Sequence, residues 1–149
     1  MTFKEKIYVS YISLLDEKIS LIQKILQELR ASAANETKST AGDKHETALA
    51  MLQIEQENTA KQLKEAFAQK KSLLQIDATI KTIVVCRGSI VKTNYGFFFI
   101  STALGKKEVE SVLVIAISPA SPLGNKMMNL KQGDSFAFNQ FNYIIEELY

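Results

Sequence analysis

The chain has 149 residues, 46% of them apolar and 23% charged, which bounds it to one compact domain or two small ones and excludes large multidomain enzymes, collagen-like chains and disordered chains. Its 18 basic and 16 acidic side chains leave a formal charge of +2, too small a surplus for a protein that grips nucleic acid through phosphates, so no stable binding of free DNA is expected. The single Cys86 and single His45 exclude an internal disulfide and a structural zinc site built by this chain alone, and a reducing, cytoplasmic setting is expected.

The first residues mix Lys4, Glu5 and Lys6 with Tyr8 and Tyr11, with no apolar stretch ahead of a small-residue cleavage site, so export is not expected. From there Tyr8, Ile12, Leu15, Ile19, Ile22, Leu26, Leu29 and Ala33 recur at alternating spacings of four and three, the seam of a heptad helix. A helix over 4–36 would extend about 50 Å at 1.5 Å per residue, more than a small globular core requires. Residues 34–42 (ANETKSTAG) are small and polar and read as a hairpin tip. A second helix over 43–74 carries a weaker seam at Leu49, Leu52, Gln56, Thr59, Leu63, Ala66, Lys70 and Leu73.

A turn centred near Ser39 sets Leu29 against Leu49, Leu26 against Leu52, Leu15 against Leu63 and Ile12 against Ala66. The alternative is a parallel dimer through the first helix. The mirrored seams favour the antiparallel hairpin within one chain, and hence a monomer.

The composition changes near Asp77: neither proline, one of six glycines and two of eight phenylalanines precede it. Beyond it, 80–86, 89–93, 96–102, 109–118 and 136–148 are rich in β-branched and aromatic residues and read as strands. Thr93-Asn94-Tyr95-Gly96 and 139–142 read as turns. Ser121 and Pro122 read as the cap and first position of a short helix through Met128. With only about 70 residues, this part is expected to dock on the hairpin base near Ile7, Tyr11 and Phe67. The longest apolar run, 112–117, is far short of the about 20 residues a membrane helix needs, so no membrane span is expected. The fold class is therefore α+β: an N-terminal antiparallel coiled-coil hairpin over 1–77, its tip at about 34–46, then a small sheet domain with a short helix over 78–149.

Asp43 and Glu46 lie three positions apart at the start of the second helix and share one helical face. Such a pair suits a capping box and the helix dipole. It also suits magnesium, which takes one or two protein carboxylates and fills its other positions with water and phosphate oxygens. Nothing nearby supplies a third ligand, so any chemistry would be shared with another molecule. His45 is read as solvated. Cys86 is read as a core thiol in a strand, and Phe97, Phe98, Phe99 and Phe136 as core aromatics.

Two stretches resemble the bacterial Gre transcript-cleavage factors. Gly42-Asp43-Lys44-His45-Glu46 is similar to that family's Gly-Asp-Leu-x-Glu-Asn tip, with Asp43 and Glu46 on its acidic positions. Ile117-Ser118-Pro119-Ala120-Ser121-Pro122-Leu123-Gly124, then Gly133-Asp134 and a closing strand, resembles its Ile-Ser-x-x-Ser-Pro signature; Gly88-Ser89-Ile90-Val91 adds to the likeness. The chain departs from the family at Thr47-Ala48-Leu49 and lacks its arginine motif before the tip.

The resemblance implies an FKBP-like C-terminal domain that docks at the rim of the RNA polymerase secondary channel, with Ser118, Pro119, Ser121 and Pro122 as docking residues. It implies a hairpin that enters the channel. There Asp43 and Glu46 would help hold a magnesium ion shared with the polymerase near the RNA 3′ end, so that backtracked RNA is hydrolysed by the polymerase's own active site. The chain would then be an accessory factor and not an enzyme, with no cofactor of its own. The alternatives are a channel-binding regulator or inhibitor without cleavage activity, an FKBP-like peptidyl-prolyl isomerase, and a coiled-coil scaffold.

Overall fold

The computed structural model describes residues 1–37 and 42–149, including their side chains except at 37 and 42–45. Among the described residues the elements are α1 (Phe3–Thr37), α2 (Gly42–Leu74), β1 (Ile90–Thr93), β2 (Gly96–Ile100), β3 (Gly105–Val109), β4 (Val112–Ile117), α3 (Pro122–Met127), β5 (Ser135–Phe138) and β6 (Phe141–Leu148). The fold is α+β, two long helices followed by a mixed sheet that includes a short helix in its connections. Two compact units are formed by Leu14–Lys70 and by Met1–Ser13 with Lys71–Tyr149. The division crosses both helices and does not fall between 77 and 78: the first turns of α1 and the last turn of α2 belong with the sheet.

In the helical unit the heptad spacing selects the buried face. Leu15, Ile19, Ile22 and Leu26 of α1 are buried, and so are Thr59 and Ala66 of α2, with Leu49, Leu52, Gln56 and Leu63 half-buried beside them. Ile19 and Ile22 pack with Ala66 and Leu63, and the Lys70 Nζ lies 2.6 Å from the Asp16 Oδ1, so the helices run antiparallel. The seams face each other as their spacing predicts.

The axial register does not follow that prediction. Ala66 and Leu63 were expected against Ile12 and Leu15, and they meet Ile19 and Ile22, one heptad further along α1. A slip of seven residues returns each seam to the same face, so periodicity determines which sides meet and leaves the sliding coordinate open.

In the other unit the strand order is β3-β4-β2-β1-β6-β5. β2 and β4 are parallel, with Phe98 level with Ile115, and the other neighbours are antiparallel. The apolar run of β2 serves both faces of the sheet. Phe98 and Ile100 join Val85, Val91, Met127, Ile145 and Leu148 in one core cluster, with Leu123 of α3 against it. Phe97 and Phe99 meet the start of α1 on the opposite side, through Phe3 (centroids 5.6 Å apart) and Tyr11 (5.7 Å). The Tyr11 hydroxyl donates to the carbonyls of Gly105 (2.7 Å) and Val114 (3.0 Å), tying α1 to β3 and β4. Ile7 and Tyr11 are fully buried, as docking on the sheet requires, whereas Phe67 is 47% exposed and takes no part in that core. In these first turns the buried positions are 7 and 11 rather than the seam's 8 and 12, because a sheet and not α2 selects the face.

Two strand expectations are corrected. Residues 80–86 form no strand: Ile83 is exposed, and Val85 pairs with the loop after α3, donating to the Leu130 carbonyl and accepting from the Asn129 N–H. Strand propensity needs an available edge, and this run has other partners for its polar groups. Residues 109–118 are not one strand, since Glu110 and Ser111 take φ of 50° and 65° and turn β3 into β4. Glu and Ser are not the residues usual at the positive-φ positions of a two-residue hairpin loop, and the hydrophilic GKKEV of β3 lacks the apolar alternation that marks a strand. The turn at Asn139 and Gln140, with φ of 48° and 69°, forms where expected.

Candidate functional site

Asp43 and Glu46 both fall in the opening turns of α2, which begins at Gly42. Glu46 is exposed. The side chains of Asp43, Lys44 and His45 lie outside the described residues, as do residues 38–41 of the expected tip. Towards this end Leu49 and Leu52 of α2 and Leu29 and Ala33 of α1 are half-buried. Among the described residues no group of three or more His, Cys, Asp or Glu side chains could hold a metal ion.

The segment from Ser118 to Pro122 is held by its own hydroxyls. Ser121 Oγ donates to the Ser118 carbonyl (2.6 Å) and accepts from the Gly124 N–H (3.1 Å), capping α3, while Ser118 Oγ accepts from the Ala120 N–H (3.1 Å). Pro122 stands exposed at the first position of α3; Ser118, Pro119 and Ser121 are half-buried. Gly124 permits this wrap, since a Cβ there would lie 2.1 Å from the Ser118 carbonyl oxygen. The hydroxyls thus build the loop, and Pro122 is the member of the set with its surface presented.

Cys86 is exposed and outside any strand, which corrects its reading as a core thiol. Its N–H donates to Ser89 Oγ (3.0 Å), which also pairs with Thr82 Oγ1 (2.7 Å). The aromatics divide between the two sheet faces and form no common pocket. Phe98 and Phe99 are buried on opposite faces, Phe97 sits against Phe3, and Phe136 stacks on Tyr143 (5.1 Å between centroids).

One charged residue escaped the sequence reading. Lys4 is only 6% exposed and donates from Nζ to the Ile80 carbonyl (2.6 Å), beside a cavity that Cys86 and Arg87 also line. A lysine in the first turn of an amphipathic helix gives no signal of burial; the 77–88 segment that covers it comes from far along the chain.

Among the described residues no helix is long and apolar enough to cross a membrane. The chain matches no family model, no curated protein and no solved structure.

Proposed function

We propose that this chain is an accessory factor of RNA polymerase that inserts its helical hairpin into the polymerase's secondary channel and presents Asp43 and Glu46 to the active centre. The observation that carries the reading is the antiparallel pairing of two helices of 35 and 33 residues, the second of which carries both carboxylates in its opening turns. Helices of this length extend about 50 Å and are each about 10–12 Å across, so a pair passes where a globular domain cannot. The likeness of Gly42-Asp43-Lys44-His45-Glu46 and of 117–124 to the Gre factors supports the same partner.

Asp43 and Glu46 would contribute two oxygen ligands to a magnesium ion whose other ligands belong to the polymerase and the RNA 3′ end. When bound, that ion supplies Lewis-acid activation of water for hydrolysis. The carboxylates' own part is to hold charge at the channel end of α2 and to accept hydrogen bonds from water. Pro122 and the rigid loop before it would contact the channel rim.

The test is a cleavage assay on arrested polymerase complexes. Wild-type protein is expected to shorten backtracked RNA. Asp43→Asn with Glu46→Gln is expected to keep the fold and the polymerase binding and to lose stimulated cleavage. Full cleavage by that double variant overturns the mechanism, and failure of the wild type to bind polymerase overturns the partner. Thr47-Ala48-Leu49, where the family continues differently, favours a second reading: occupation of the channel without cleavage. Binding by wild type with no cleavage selects it.

A further inference from the structure

Lys4 is the one charged side chain buried among the described residues. Its ammonium has three N–H donors, of which the Ile80 carbonyl takes one. No carboxylate among the described residues forms an ion pair with it. Asp77 interacts with it only at longer range, its carboxylate being taken by the Thr79 N–H (2.9 Å) and hydroxyl (2.5 Å). Burial accordingly pushes the Lys4 ammonium below its ordinary value. Cys86 and Asp77 offset that burial only in part, so the ammonium keeps donor capacity and positive charge for an anion placed beside it.

The space for one is present. A cavity of about 520 Å³ opens beside Lys4, walled by Thr82, Cys86, Arg87, Ile76 and Ile80. Arg87 is anchored by Nη2 to the carbonyl (2.6 Å) and hydroxyl of Ser72, which fixes its guanidinium at the wall while its remaining N–H groups keep their donor capacity. This size suits a small metabolite. The isoleucines offer an apolar surface, and Asp77, which also lines the cavity, disfavours a ligand bearing many negative charges.

We propose that this cavity binds a small organic oxyanion, a phosphate monoester or a carboxylate, with its charged group between Lys4 and Arg87 and its apolar part on Ile76 and Ile80. The site lies wholly within the unit formed by Met1–Ser13 and Lys71–Tyr149 and does not rest on the polymerase reading. The test titrates the full chain with phenyl phosphate, benzoate and inorganic phosphate in turn, at ionic strength held constant with sodium chloride, and follows the backbone amide signals of Cys86 and Gly88.

Saturable shifts with phenyl phosphate or benzoate are expected, and whichever binds tighter identifies the anion class. Inorganic phosphate, lacking the ring, is expected to bind about tenfold more weakly than phenyl phosphate. Lys4→Met is expected to abolish saturation, and Arg87→Gln to weaken it about tenfold. Arg87 is exposed, so its variant keeps the fold and decides the matter even where Lys4→Met does not fold. Shifts reproduced by chloride alone, or an affinity unchanged in Arg87→Gln, overturn the proposal, and equal binding of inorganic phosphate overturns its organic part.

Discussion

Tyr11 illustrates how one side chain joins elements distant in sequence. Its ring is fully buried against Phe99, and its hydroxyl donates to two carbonyls on neighbouring strands. Tyr11→Phe is expected to destabilise the protein by about 1–3 kcal/mol in denaturant titration, since the carbonyls that share its one O–H, that of Val114 in a buried bond, lose their donor. Burial pushes the phenol from 10.0 up to about 12. The neutral phenol is the form that folding favours, so its contribution is complete below pH 10. It falls as the pH rises from 10 and is gone above about 12, because the unfolded chain releases its proton first. Stability measured against pH is therefore expected to fall more steeply in the wild type than in Tyr11→Phe across this window. Parallel curves would show that the phenol does not carry the effect. At Gly124 the close Ser118 carbonyl leaves no room for a methyl group, and Gly124→Ala is expected to lower stability by about 2–3 kcal/mol, read by thermal unfolding.

At the scale of elements, the helical pair makes its register testable. With Cys86→Ser to remove the native thiol, cysteines at Ile19 and Ala66 are expected to cross-link on mild oxidation. Cysteines at Ile19 and Thr59 are not, because Thr59 lies seven residues along α2 from Ala66, about 10 Å of helix and beyond disulfide reach. A reversed outcome would restore the register that a turn centred at Ser39 implies. Ile22→Ala is expected to cost about 2–4 kcal/mol, as it empties a seam position packed against Ala66 and Leu63. The polar residues Gln56 and Thr59 make the α2 seam less apolar than that of α1, although Thr59 is buried in it.

At the scale of the whole molecule, α1 buries its seam against α2 of the same chain, which removes the apolar surface a parallel dimer would use. Sedimentation is expected to return the mass of a single chain at micromolar concentration, and a stable dimer would show that the seam is shared between copies. Local sequence determined the class of the fold, both long helices, the face they bury from Leu15 onward and the capped α3, because each of these follows from residues close together in the chain. That positions 43 and 46 fall in the opening turns of α2 was equally legible, since a helix start is set by local sequence.

Tertiary structure decided the heptad register, the fate of 80–86, the split of 109–118 into two strands and the burial of Lys4. Each depends on which distant segment arrives as a partner. A seven-residue repeat looks the same after a slip of seven, a β-prone run pairs only where an edge is open, and a lysine is buried only when another part of the chain closes over it.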